Sequence, residues 1–152
     1  TIADPRPLPF RLNWSLFRFD SAPKLPDGTE PWQKVRVRNC LPSAPQDLFG
    51  KPLPAEWNFE HLGGVSFSKG CYVGQEVTTR MHHRTEPKKT LYNIKLENSS
   101  NLKTGDAITT DTSVDAGWLL SVSESSAMAL LRKRVLENSP KLNGVRNYEK
   151  AI

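Results

Sequence analysis

At 152 residues the chain is long enough for one ordinary domain or two small ones, with a core able to bury about two thirds of the surface of the unfolded chain. A hydrophobic content of 37% and a mean hydropathy of −0.53 describe a soluble protein: no run approaches the roughly 18 apolar residues of a membrane span, and the start shows neither a signal-peptide apolar core nor an Arg/Ser-rich transit pattern. The net charge is +5, from 21 basic and 16 acidic side chains, and the two cysteines, Cys40 and Cys71, are too few for a disulfide framework and fit a reducing compartment.

In chain order, Leu12, Trp14 and Leu16 alternate while Phe17 and Phe19 shift phase, which predicts a strand of about eight residues with a bulge. Pro23, Pro26, Asp27 and Gly28 mark a loop. Thr29, followed by Glu30 and Pro31, is a helix start with Thr as the cap and acid in the first turn. Against it, Val35-Arg36-Val37-Arg38 alternates like a strand, so periodicity leaves a tie. Cys40 reads as a small core-facing thiol, and Pro42 to Pro54 as an extended loop. Trp57 and Phe59 are sized to fill a core or to line a cofactor slot. Gly63 and Gly64 lead through Val65-Ser66-Phe67, a short strand, into Lys69-Gly70-Cys71-Tyr72-Val73-Gly74-Gln75-Glu76.

Gly70 can take positive φ or a close backbone approach. From there the residues run helically, with Val73, Val77 and Met81 forming an apolar stripe at i, i+4 and i+8. That spacing places Cys71 at the N-terminal end of a helix, where unpaired N–H groups, the macrodipole and Lys69 favour the thiolate and lower the thiol pKa. His61, His82 and His83 invite a metal reading with Cys71. Eleven helical residues put His82 roughly 16 Å along the axis, too far for one coordination sphere if the helix is continuous, although His61 is not excluded.

Glu86-Pro87 breaks the helix. Tyr92, Ile94 and Leu96 then alternate, Ala107 to Thr110 is a brief strand, and Trp118, Leu120 and Val122 alternate again. Ala127 to Val135 fits either helix or strand, and the residues beyond Asn138 are turn-rich and polar. Strands at this spacing suggest a small antiparallel barrel. Basic clusters occur at Lys34, Arg36 and Arg38, at Arg80, Arg84, Lys88 and Lys89, and at Arg132, Lys133 and Arg134. Such clusters can meet nucleic acid or an acidic partner, but are more often a solvated face, and no nucleic-acid-binding motif accompanies them.

The stretch from Lys69 to Glu76 resembles the signature K-G-C-[YF]-x-G-Q-E of the folate-binding-like iron–sulfur cluster assembly factors. These are the YgfZ type of bacteria and their mitochondrial counterparts, distant relatives of the glycine-cleavage T-protein. All seven specified positions are present as Lys69, Gly70, Cys71, Tyr72, Gly74, Gln75 and Glu76. Asp4-Pro5-Arg6 to Arg11 resembles the family's D-P-R…L-G-x-R segment, with Pro9 in place of Gly. That segment lies well inside family members, which implies a further N-terminal portion. The resemblance covers roughly residues 4 to 135. It favours helix after Thr29, ending at Cys40-Leu41-Pro42 where the family has Gly-Val-Pro, so that Cys40 stands in a glycine's place. It also favours a barrel strand at Ala129-Leu130-Leu131-Arg132. Leu53-Pro54-Ala55-Glu56-Trp57-Asn58 resembles L-P-x-E-x-N, in which the T-protein's glutamate holds the pterin of folate. A carboxylate can accept two N–H bonds from such an edge, and Glu56 can equally cap a turn or pair with an arginine.

The fold implied is α+β: residues 1–86 as an incomplete T-protein-like folate-binding domain and 87–152 as a small C-terminal antiparallel β-barrel. The function implied is that of an assembly factor rather than an ordinary enzyme. It would present Cys71 to a two-iron cluster on an A-type scaffold and help mature four-iron proteins in the mitochondrial matrix. One thiolate falls short of the four ligands that a cluster needs, so a cluster would be shared with the partner. Tetrahydrofolate, at Glu56 and Trp57, is a second candidate ligand. A folate-dependent aminomethyl transferase is an alternative function, and a basic RNA-binding module is another, resting on charge alone.

Overall fold

The computed structural model describes residues 2–3, 15–16, 27–44, 46–47, 52–70, 72–98 and 100–151. Two short strands, β1 (Ile2–Ala3) and β2 (Ser15–Leu16), pair antiparallel with Ile2 opposite Leu16. The rest of the strand expected over residues 12–19, and the segment Asp4 to Arg11, lie outside the described residues.

Helix α1 (Thr29–Arg38) resolves the tie between helix and strand. Pro31 falls in the first turn, where its missing N–H costs nothing, and Lys34 Nζ bridges Glu30 at 3.0 Å, one turn earlier. The cap differs from expectation. Gly28 occupies the cap position without a side-chain bond, and Asp27 accepts the Thr29 N–H at 2.9 Å. The hydrogen bonds from Thr29 hold the Asp27 carboxyl below its ordinary pKa.

The other end of α1 explains Cys40. The Leu41 N–H bonds the Arg36 carbonyl at 2.8 Å and the Cys40 N–H bonds that of Val37 at 3.2 Å, the paired bonds of a Schellman terminus, which wants a left-handed residue, usually glycine, at this position. Cys40 fills it at φ 51°. Its thiol is buried, and burial, with a smaller contribution from Glu149, pushes its pKa from 9.0 up to about 12. In a Cys71→Ser background, Cys40 is therefore expected to be alkylated at pH 8 only as fast as the chain unfolds. Above pH 9 the unfolded chain loses a proton that the folded chain keeps, so stability falls as pH rises from 9 toward 12. Urea midpoints at pH 8 and pH 10.5, compared with those of Cys40→Val, measure this.

Residues 53–64 form successive turns, among them Trp57 N–H to Leu53 O, Phe59 N–H to Pro54 O and Gly64 N–H to Phe59 O. The strand expected at Val65-Ser66-Phe67 is absent, because the Val65 N–H turns back to the Phe59 carbonyl and the Phe67 ring stacks on His82 with centroids 3.8 Å apart. Helix α2 spans Glu76–Arg84.

The remaining strands are β3 (Lys89–Leu96), β4 (Ala107–Thr109), β5 (Asp115–Ser123), β6 (Ser126–Arg132) and β7 (Val145–Lys150). They form one antiparallel sheet in the order β4-β5-β6-β3-β7. Instead of the full barrel expected, this is a half-barrel whose β4 side reaches the approach to β7 through the bridge Thr110–Leu142. The strand at Ala127 ends at Arg132, and a single helical turn, α3 (Lys133–Leu136), follows. β7 was not expected from the polar stretch beyond Asn138. It is an edge strand with Val145 buried and Tyr148 half-buried, while Arg146, Asn147, Glu149 and Lys150 face water, a charged edge that resists further pairing.

Both faces of the sheet are covered. On one, Ile94, Leu96, Leu119, Ala129 and Leu131 pack with Leu136 and Leu142. On the other, Leu91, Leu120, Met128 and Leu130 pack with Val37, Cys40 and Trp57. The alternation expected through Trp118, Leu120 and Val122 breaks at a register shift between Leu119 and Ser121, which sends Leu120 and Val122 to opposite faces. Beneath α1, Arg36 Nη1 meets Asp47 Oδ2 at 2.7 Å with both side chains buried. Ser121 Oγ joins them, donating to Asp47 Oδ1 at 2.5 Å and accepting from Arg36 Nη2 at 2.6 Å.

Candidate functional site

The helix expected to begin at Cys71 begins five residues later, and the cause is local. Gly74 takes φ +86°, a left-handed value that a right-handed helix cannot include. Gly70, to which that role was assigned, has neither a positive φ nor a neighbour within 4 Å of an added Cβ. Between Tyr72 and Gln75 the chain makes a turn closed twice: the Gln75 N–H reaches the Tyr72 carbonyl at 3.4 Å, and the Tyr72 N–H donates to Gln75 Oε1 at 3.0 Å. Glu76 opens α2 and pairs with Arg80 at 2.5 Å, placing acid in the first turn as the dipole prefers. Lys69 Nζ lies 4.9 Å from the Tyr72 ring centroid. Thus the described part of the signature is an exposed turn that runs into the start of α2, with Gln75 at the cap position.

Cys71 itself lies outside the described residues. With α2 starting at Glu76, the helix-end argument for a lowered thiol pKa lapses, as does the axial distance that separated Cys71 from His82. The apolar stripe is also not a buried one: Val73 is fully exposed and Val77 is 55% exposed, because the Gly74 turn takes Val73 out of phase with the helix. Lys69, Gly70, Tyr72, Gly74 and Glu76 all face water, and Gln75 is half-buried.

Opposite faces of α2 border two concavities. One is an open groove lined by Tyr72, Gln75, Thr79, Arg80, His83 and Arg84. The other is a cleft of about 280 Å³ beneath the helix, bounded by Pro54, Asn58, Val65, Phe67, Met81 and Pro87, with Glu60, His61, His82 and Glu86 supplying polar groups. His82 Nδ1 lies 3.2 Å from Glu60 Oε2 and stacks on Phe67, pinning α2 to the turns of residues 54–67. Among the described residues, no three His, Cys, Asp or Glu side chains gather as a metal site.

Glu56 and Trp57 line neither concavity. Glu56 is buried, capping its own turn at the Leu53 N–H, 3.0 Å away, and pairing with Lys89 at 3.4 Å. Trp57 is core, tilted against Phe59 at 5.3 Å, with its indole N–H buried and unpartnered. A pterin edge needs an open carboxylate, so the described residues do not fit folate at this pair. Sequence reasoning missed the turn-closing role of Gln75, although a Gln one residue after a Gly and just before a helix was the available signal.

The arrangement defines an α+β chain in which an antiparallel half-barrel supports an exposed, glycine-reversed turn ahead of a short helix. No family model matches it. It is 36% identical over 146 residues, 90% of this chain, to the mitochondrial iron-sulfur cluster assembly factor IBA57 of Mus musculus. It is 37% identical over 100 residues, 62% of this chain, to the protein of the same name from Homo sapiens, and 31% identical over 87 residues, 57% of this chain, to the tRNA-modifying protein YgfZ of Aliivibrio fischeri. The chain belongs to this family of YgfZ-type and mitochondrial iron–sulfur assembly factors. It spans 40%, 28% and 27% of the lengths of these three relatives, in that order.

Proposed function

We propose that the chain acts in iron–sulfur cluster assembly by offering Cys71 to a cluster carried by a partner, an A-type scaffold, on the way to mature four-iron proteins. The location is mitochondrial, as for the mammalian relatives, and the matrix is part of the proposal. The observation that carries the reading is the exposure of the signature. Its described residues make a tight turn that contributes no side chain to either hydrophobic cluster. A loop with so specific a composition and so little packing is shaped for something outside the fold. The cluster is cargo here: one thiolate supplies one of about four ligands, and the partner supplies the others. Folate plays no step in this reading, since Glu56 is committed to Leu53 and Lys89.

The expected result is that the chain alone retains no cluster after anaerobic reconstitution, whereas a mixture with an A-type scaffold does. Cys71→Ser abolishes retention without altering the fold. Cys40→Ser keeps retention and loses stability, through a polar atom placed in the core. Size-exclusion chromatography with iron quantitation decides it: iron travelling with the chain alone, or an undiminished mixed complex in Cys71→Ser, sinks the shared-ligand mechanism.

A further inference from the structure

The geometry points to the outer face of α2 as the docking surface for an acidic protein segment, one whose carboxylates meet Arg80 and Arg84 while an apolar side chain covers Val77 and Tyr72. This docking rests on the reading that a partner meets the chain at the signature, and adds what that partner's surface must carry. The helix is attached by one side. Thr78, Met81 and His82 line the cleft beneath it, where His82 meets Glu60 and stacks on Phe67, yet no residue of the helix is buried. Its nine residues are too few for a helix to stand on propensity alone, so cover on the outer side stabilises it. That side is built of two materials. Val77, Arg80 and Arg84 fall at i, i+3 and i+7 and share a helix face, while Arg80, Arg84 and Tyr72 line the open groove. Of the five large hydrophobic side chains left exposed among the described residues, Tyr72, Val73 and Val77 fall within one stretch of six positions, whereas Leu53 and Val114 lie elsewhere. Apolar surface gathered in this way and rimmed by charge marks an interaction site.

The charges choose the partner. Arg84 is exposed and enters no ion pair among the described residues. Arg80 pairs with Glu76, yet 61% of its side chain stays open to water, and Lys69 adds a third cation over the Tyr72 ring. Against these cations stands one carboxylate, Glu76, so the surface attracts acid. A second copy of the chain would bring the same cations against themselves. Nucleic acid is acidic too, but Glu76 would oppose its phosphates, and the valines offer no plane on which a base stacks. An acidic protein segment with an apolar side chain satisfies both materials at once, and arginine and tyrosine are residue types on which interface energy concentrates.

The test compares wild type with Val77→Ser and Arg84→Glu on this face, and with Val114→Ser and Arg134→Glu away from it. Calorimetric titration measures affinity for an A-type scaffold carrying a two-iron cluster, and filter binding measures affinity for bulk transfer RNA. All four substituted side chains belong to exposed residues, so thermal midpoints are expected to match wild type. Scaffold affinity falls about tenfold in Val77→Ser and in Arg84→Glu and holds at the wild-type value in the two distant variants. Raising salt from about 50 mM to about 500 mM weakens wild type and Val77→Ser alike and Arg84→Glu much less, because the attraction that salt screens has gone. Wild-type scaffold affinity in Val77→Ser or in Arg84→Glu overturns the docking surface and leaves the role of Cys71 standing; if Arg84→Glu then weakens RNA binding, the occupant is nucleic acid. An equal loss in Arg134→Glu also overturns it, since net charge alone then governs. A scaffold that does not bind wild type overturns both the surface and the underlying reading, whereas undiminished iron in Cys71→Ser overturns only the role of the thiol.

Discussion

Asp47→Ala is expected to destabilise the chain by about 3–5 kcal/mol, the cost of leaving one member of a buried ion pair without the other. Arg36 and Asp47 have side-chain exposures of 3% and 0%, so water does not screen the Arg36 guanidinium once its partner is gone. Besides Asp47 it has Gln33 Oε1 at 2.8 Å, the Leu41 carbonyl at 3.3 Å and Ser121 Oγ, none of which carries charge. The Ser43 N–H, 2.7 Å from Asp47 Oδ2, loses its acceptor as well. Urea unfolding measures the change, and the double variant Arg36→Met/Asp47→Leu supplies the contrast: removing both charges together should recover most of the loss, since a buried pair is often no better than apolar residues of similar volume. A loss below about 1 kcal/mol in Asp47→Ala, the size expected of a solvent-exposed pair, would show that the network does not fasten α1 and its loop to the sheet.

Gly117→Ala is expected to cost about as much for a different reason. An added Cβ would stand 2.1 Å from the Leu130 carbonyl oxygen and 3.0 Å from Leu131 Cα, and the residue holds φ +142°. Both neighbours are backbone of β6 in the middle of the sheet, so no side chain can swing aside. The strands must part or the residue must leave its conformation, and either costs about 3 kcal/mol or more. Gly74→Ala is the internal control: its φ is also left-handed, yet nothing lies within 4 Å of the added atom, so the global urea midpoint should move far less. Equal midpoints for Gly117→Ala and wild type would refute the close approach.

Where a strand buries one face and wets the other, or keeps its register, the sequence was legible. Tyr92, Ile94 and Leu96 alternate and do share a face. β6 is buried continuously from Ala127 to Leu131, and an unbroken apolar run cannot tell strand from helix by period; only the family resemblance chose. β7 stayed hidden because an edge strand with two inward side chains has too little alternation to stand out from a polar loop. At the signature, two glycines flank Cys71, and nothing in the residue types says which one turns left-handed. Assigning the reversal to Gly70 made the helix five residues too long and lent Cys71 a dipole that belongs to Glu76. Asp47 was read as part of a polar loop because its burial depends on Arg36, 11 residues earlier, and on Ser121, 74 residues later.

The strand order also sets the order of events during synthesis. β3 lies between β6 and β7, so neither of its hydrogen-bonding edges has a partner when it leaves the ribosome. β6 arrives after about 30 more residues and β7 only after about 50, several seconds later at ordinary rates of elongation. Until then Leu91 to Leu96, with Leu91, Tyr92, Ile94 and Leu96 all destined for burial, has an open edge, the kind of segment that pairs with the wrong chain. A nascent chain that has emerged as far as Gly144 would have its apolar sheet nearly assembled and its β3 edge still uncovered, which makes that interval the one in which a chaperone has most to protect.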